Sequence, residues 1–161
     1  MLQVIDIVAG TAVDGPGLRT SIYLAGCPHH CEGCHNPQSW DFTAGTPMSD
    51  DDIMSVIDNN GFNVTFSGGD PMSQAGMLLP LARRIKEAGY NIWCYTGFNF
   101  CQLLEMEPQR RLLEYIDVLV DGPFILQQRD ISLRFRGSSN QRLIDVRRSM
   151  EGEITLWNDS L

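Results

Sequence analysis

Short apolar and β-branched runs alternate with helix-period stripes along most of the chain. Strands are predicted at Thr20–Ala25, Asn63–Ser67, Asn91–Tyr95 and Asp117–Val120. Their mostly apolar or β-branched character suits strands buried on both faces. Helices are predicted between them. Ser49 and Asp52 make an S-x-x-D capping signature ahead of Ile53, Val56 and Ile57. Met77, Leu78, Leu81, Ala82 and Ile85 form a second stripe, which Gly89 ends. Pro80 fits that helix only in its first turn or as a kink. Phe100, Leu103 and Leu104 start a third stripe; Pro108 breaks it, and Leu112, Leu113 and Ile116 continue as a separate short helix. Strand and helix in alternation, joined by right-handed crossovers, give an α/β fold with a parallel sheet and its functional strand ends on one edge. The pattern alone fits an open, partial βα barrel and a flat doubly wound sheet equally. After Gly122 the periodicity fades: RFRGSSNQR reads as an irregular loop, and a last strand is expected at Leu143–Val146.

With 161 residues the chain suffices for one core. A single domain over 1–161 is expected, closed by an irregular Arg-rich segment, 129–161. Between Arg129 and Arg148 stand six arginines and two acids. That excess suits either a solvated tail or a docking surface for an acidic partner or anionic group. The formal net charge of −8 argues against nonspecific nucleic-acid binding. No apolar run reaches the roughly 18 residues of a membrane-spanning helix. The N-terminal MLQVIDIVAG lacks the features of an export signal, so a cytoplasmic location is expected.

Five cysteines are present: 27, 31, 34, 94 and 101. An odd number without an export signal does not suggest a disulfide framework. Cys27, Cys31 and Cys34 occupy CPHHCEGC, directly after a predicted strand. Thiolates are natural ligands of iron–sulfur clusters and of zinc. A [4Fe–4S] cube on three thiolates leaves one iron open to an exogenous ligand. The alternative is structural zinc, with His29, His30 or His35 as fourth ligand; a second C-x2-C knuckle, the commoner zinc pattern, is missing. His29 and His30 otherwise read as surface residues. Cys94 and Cys101 are expected to be packed thiols, with a redox role as the alternative.

SGGDP, residues 67–71, ends the second predicted strand. Its glycines let backbone approach a ligand, and Asp70 offers a carboxylate to an ammonium group; a capped strand-to-helix turn accounts for the same residues. YTG at 95–97 and VDGPF at 120–124 follow the third and fourth strands and read as ligand contacts or as turns.

C-x3-C-x2-C followed by Gly-Gly-Asp resembles the radical S-adenosylmethionine superfamily, whose fold is an open parallel βα barrel. The resemblance implies a [4Fe–4S] cluster on Cys27, Cys31 and Cys34, with S-adenosylmethionine on the fourth iron. It carries Gly68, Gly69 and Asp70 over as ligands of the cofactor's amino group, and it puts Gly33, Cys34 and His35 beside the adenine. The family often has an aromatic residue where this chain has Gly33. VDGPGLRTSIYLAGCPHHCEGCHNPQSW, residues 13–40, is more narrowly similar to the glycyl-radical-enzyme activases, and among them to those serving anaerobic ribonucleoside-triphosphate reductase. That similarity implies one electron from a low-potential donor, reductive cleavage of the sulfonium, and hydrogen abstraction from a glycine of the partner reductase by a 5′-deoxyadenosyl radical. It also implies that Asp14, Gly15, Pro16 and Gly17 meet the partner's glycine loop, and that Thr96 and Asp121 are candidates for a monovalent cation. Two other classes fit the residues: a small radical enzyme acting on a free metabolite, such as the 7-carboxy-7-deazaguanine synthases, and a zinc-stabilised binding module.

Overall fold

A computed structural model describes residues 1–158. Residues 159–161, the end of the expected Arg-rich segment, lie outside the described residues. Seven strands make one open sheet: β1 (Leu2–Thr11), β2 (Arg19–Leu24), β3 (Thr46–Met48), β4 (Asn63–Gly68), β5 (Ile92–Tyr95), β6 (Val118–Asp121) and β7 (Arg142–Asp145). Their order is β3-β1-β2-β4-β5-β6-β7; β3 and β7 are outermost, and the outer side of β7 is bridged by residues 155–157 through Asp145 N–H to the Thr155 carbonyl and Trp157 N–H to the Leu143 carbonyl, both at 2.8 Å. The four central strands β2, β4, β5 and β6 are parallel, and they are the four that the apolar runs predict. The sheet is not parallel throughout. β1 and β3 add an antiparallel flank that the sequence reading did not anticipate, and β7, expected only as a last strand, joins β6 antiparallel.

Among the described residues five α-helices connect or close the strands: α1 (Asp50–Asn60), α2 (Ala75–Glu87), α3 (Phe100–Leu104), α4 (Gln109–Leu113) and α5 (Val146–Met150). Ser49 caps α1 by accepting from the Asp52 N–H at 3.1 Å. Three acids in the first turn favour the positive end of the helix dipole. Pro80 lies in the interior of α2, beyond its first turn, on an exposed face. The stripe of α2 buries Leu78, Leu81, Ala82 and Ile85, but Met77 is 46% exposed and outside the core. Among the described residues no helix is long and apolar enough to cross a membrane.

The two faces of the central strands differ, and this difference positions the site. Ile22, Leu24, Val64, Phe66, Ile92, Cys94 and Leu119 join the main core beneath the helices. The alternate positions belong to the other face. There Trp93, Val118 and Val120 form a smaller cluster with Tyr95, Phe135, Leu143 and Trp157. The C-terminal segment, rather than helices, supplies Phe135 and Trp157 to this second layer. Trp93 meets both rings edge-on, at centroid distances of 5.3 and 4.9 Å.

Candidate functional site

On that second face the alternation turns polar toward β2 and β4. Arg19, Ser21 and Thr65 are fully buried polar residues, and Tyr23 and Ser67 are half-buried. A buried guanidinium requires hydrogen-bond partners. Arg19 donates from Nε to Thr65 Oγ1 at 2.8 Å and from Nη2 to the Val64 carbonyl at 2.8 Å and Asn91 Oδ1 at 2.5 Å. Nη1 reaches the Pro16 carbonyl at 3.4 Å, and the guanidinium carbon lies 5.6 Å from the Trp93 ring centroid. Burial brings its pKa down to about 10.

The Asp14–Gly17 segment is therefore fastened from below. The Thr65 hydroxyl donates to the Asp14 carbonyl at 2.8 Å. Asp14 Oδ2 accepts from Ser21 Oγ at 2.9 Å and from the Tyr23 hydroxyl at 2.5 Å. Burial first, and then this bond to Asp14, push the Tyr23 hydroxyl above the ordinary tyrosine range.

A cavity of about 560 Å³ opens beside Asp14, within the usual size range of a small-molecule site. The three clustered cysteines all line it, none in a disulfide, together with Gly68, Gly69, Tyr95, Thr96 and Phe124. Strand ends bring these residues together. Cys27 follows β2, the glycines end β4, Thr96 follows β5 and Phe124 follows β6. A methyl group on Gly69 would fall 2.6 Å from the Gly26 carbonyl oxygen and 2.7 Å from that of Ser39, so the cysteine loop rests directly on this backbone.

The donor set fits a multi-iron cluster. Burial pushes the Cys27 thiol up, so a thiolate there needs a cationic metal for company. The Asn36 N–H points at Cys34 Sγ, 3.4 Å away. Among the described residues no group of three His, Cys, Asp or Glu side chains could hold one metal ion, whereas three thiols share one cavity wall. The histidines weighed for zinc are engaged elsewhere. His29 Nε2 is 2.6 Å from Asp70 Oδ2, His30 stacks on Trp40 at 4.5 Å, and His35 faces Phe124 at 5.5 Å. The expectation that His29 is a surface residue fails, since its side chain is only 16% exposed. His30 is exposed, as expected.

Position and partners distinguish the remaining expected site residues. Asp70 is fully buried and absent from the cavity wall. Oδ1 caps the following turn by accepting from Met72 N–H at 3.0 Å; Oδ2 accepts from Thr96 Oγ1 at 3.0 Å and Gly97 N–H at 2.9 Å and meets His29. Asp121, 1% exposed, is held by Arg142 and the Phe100 N–H, and the Thr96 hydroxyl donates to Asp70. Gly33 packs against Leu126 and Phe124 outside the cavity, while Cys34 and His35 line it. Of the four-residue partner segment only Asp14 reaches the cavity. Cys94 is fully buried, with its thiol pushed well up by desolvation, but Cys101 is exposed rather than packed.

The sequence reading missed Tyr23 on the cavity wall, whereas Tyr95 and Phe124 belong to the YTG and VDGPF stretches read as ligand contacts or turns. Alternation along β2 was the signal that could have found Tyr23.

An open α/β sheet that gathers three free thiols and a Gly-Gly turn around one cavity defines an iron–sulfur domain. The family model for a 4Fe-4S single cluster domain matches residues 13–144. The chain belongs to the family of anaerobic ribonucleoside-triphosphate reductase-activating proteins. It is 39% identical over 139 residues to the member from Haemophilus influenzae, covering 80% of this chain and 88% of the relative. The Escherichia coli K12 member is 35% identical over 80% of this chain and 89% of its own length. A member from bacteriophage T4 is 29% identical over 81% and 86%. Among solved structures, QueE from Escherichia coli shares the fold, with a TM-score of 0.52 and 20% identity over 74% of this chain and 69% of that one.

Proposed function

We propose that this chain is the activating enzyme of an anaerobic ribonucleoside-triphosphate reductase and installs a glycyl radical on it. The name shared by its relatives supports that partner. The observation that carries the reading is the common cavity: three thiols, the Gly68–Gly69 backbone, and the His35 and Phe124 rings line one space with Asp14.

Cys27, Cys31 and Cys34 hold a [4Fe–4S] cluster in this reading, and S-adenosylmethionine occupies the remaining cavity. The bound pair supplies one-electron cleavage of the sulfonium bond, the source of the hydrogen-abstracting radical. The chain's own residues bind and orient. Gly68 and Gly69 bring backbone polar groups to the amino-acid end. His35 and Phe124 offer ring faces to the adenine. Asp14, held by Ser21 and Tyr23, presents a carboxylate to the partner's glycine segment. A low-potential reductant is a necessary participant. Residues 1–158 supply all of these parts from one sheet, so we read the chain as one functional unit.

Anaerobic reconstitution with iron, sulfide, dithionite and S-adenosylmethionine tests the proposal. With the reductase present, electron spin resonance should show a glycine-centred signal; without it, only slow uncoupled cleavage. Cofactor consumption that yields no such signal, and instead converts a pterin, would establish the metabolite-directed alternative. Asp14→Ala should lower the radical yield more than it lowers uncoupled cleavage. Equal losses would remove Asp14 from partner recognition.

A further inference from the structure

Three residues separate Cys27 from Cys31, and two of them are histidines anchored at different places. The His30 backbone adopts φ of 50°, in the left-handed region that few residues other than glycine enter, and its ring stacks on Trp40. His29 takes the opposite part of the loop to the sheet edge. Its ring contacts Phe98 edge-on at 4.5 Å and lies over Gly97, where a methyl group would collide with it. Its Nε2 meets Asp70, whose carboxylate also collects Thr96 and the Gly97 N–H. One buried carboxylate thus joins the loops after β2, β4 and β5. A fully buried charge persists only when its hydrogen bonds are satisfied, and here each partner belongs to a loop of the site.

We propose that the His29–Asp70 pair is a positioning clamp, which fixes the cysteine loop against the ends of β4 and β5 and so sets where the cluster stands relative to the cofactor cavity. The inference rests on the reading that Cys27, Cys31 and Cys34 hold that cluster. Neither residue is one of the thiolate ligands of the cluster; both act on it through the thiols. Groups that orient metal ligands from behind govern retention of the metal, with losses of about 10-fold or more on their removal.

The test compares the wild-type chain with His29→Ala, His29→Gln and Asp70→Asn, each reconstituted anaerobically. Iron and sulfide content, the rate of iron loss to a ferrous chelator, and the resonance spectrum of the dithionite-reduced cluster are read, with circular dichroism of the unloaded chain as the folding control. His29→Ala should lose iron about 10-fold faster and show an altered spectrum. His29→Gln places an amide N–H where Nε2 stands and should restore both. Asp70→Asn keeps the shape but sets an amide donor against one of the existing donors; it should behave like His29→Ala and serves if that variant does not fold. Wild-type rates and spectra in both His29→Ala and Asp70→Asn would overturn the clamp alone, as would failure of glutamine to rescue a folded chain. A wild-type chain that takes up no iron and sulfide would overturn the cluster reading, and the clamp with it.

Discussion

Arg142 closes on Asp121 through two parallel hydrogen bonds, Nε to Oδ1 at 3.0 Å and Nη2 to Oδ2 at 2.6 Å. The pair ties β7 to the end of β6, and the aspartate is 1% exposed. Truncating the arginine would leave a buried carboxylate short of its counter-charge. Because the Arg142 side chain is itself 37% exposed, water can replace part of the loss. Arg142→Ala should therefore cost about 2 kcal/mol in denaturant unfolding, and Arg142→Lys should recover only part, lacking the planar fork. Unchanged stability in Arg142→Ala would show that the pair is solvent-compensated.

Phe124 and His35 face each other across the cavity wall with their planes at 56°. If they line the adenine's side of the cavity, Phe124→Ala should weaken S-adenosylmethionine binding by about 10-fold, the scale of one aromatic contact. His35→Phe should bind nearly as well as the wild type. A cofactor titration followed on the reduced cluster's spectrum measures both, and equal affinity in Phe124→Ala would place the adenine elsewhere.

Tyr23 gives a dependence on pH with a definite sign. Burial and the bond to Asp14 raise its hydroxyl above the ordinary 10.0. A raised group contributes stability that is complete below the unfolded pKa and is lost as pH climbs through the folded one. The stability gap between the wild type and Tyr23→Phe should therefore be constant from pH 8 to about pH 10 and shrink above it. Arg19, lowered to about 10 by burial, acts in the opposite sense, and it is common to both proteins, so it drops out of the difference. Urea titrations at stepped pH would show the trend; a gap that stays level beyond pH 10 would mean Tyr23 ionises freely in the folded chain.

Parts of the site whose residue types are fixed by chemistry were legible in the sequence. Three thiols at that spacing admit few uses, and Gly69 must be glycine where backbone stacks on backbone. The four central strands were legible because both of their faces are buried. β1 escaped notice because only Leu2 and Val4 are buried; its outer half is exposed and its register with β2 shifts twice. The direction of Asp70 was hidden for a different reason. One Asp after two glycines can cap a turn or face a ligand, and the donors that hold it here, His29, Thr96 and Gly97, are 26 or more residues away along the chain. Arg19 was equally opaque, since Thr65 and Asn91, which make its burial tolerable, are 46 and 72 residues distant.

The fastening of residues 14–17 by Arg19, Thr65, Ser21 and Tyr23 decides which side must yield in an encounter. A rim bolted to the sheet cannot reshape itself around a visitor. If this rim meets the reductase's glycine, as proposed above, that glycine must leave its own fold and come to a prepared socket, and the free energy of that unfastening falls on the partner. Changes that loosen the reductase around its glycine should accelerate activation more than any softening of this chain.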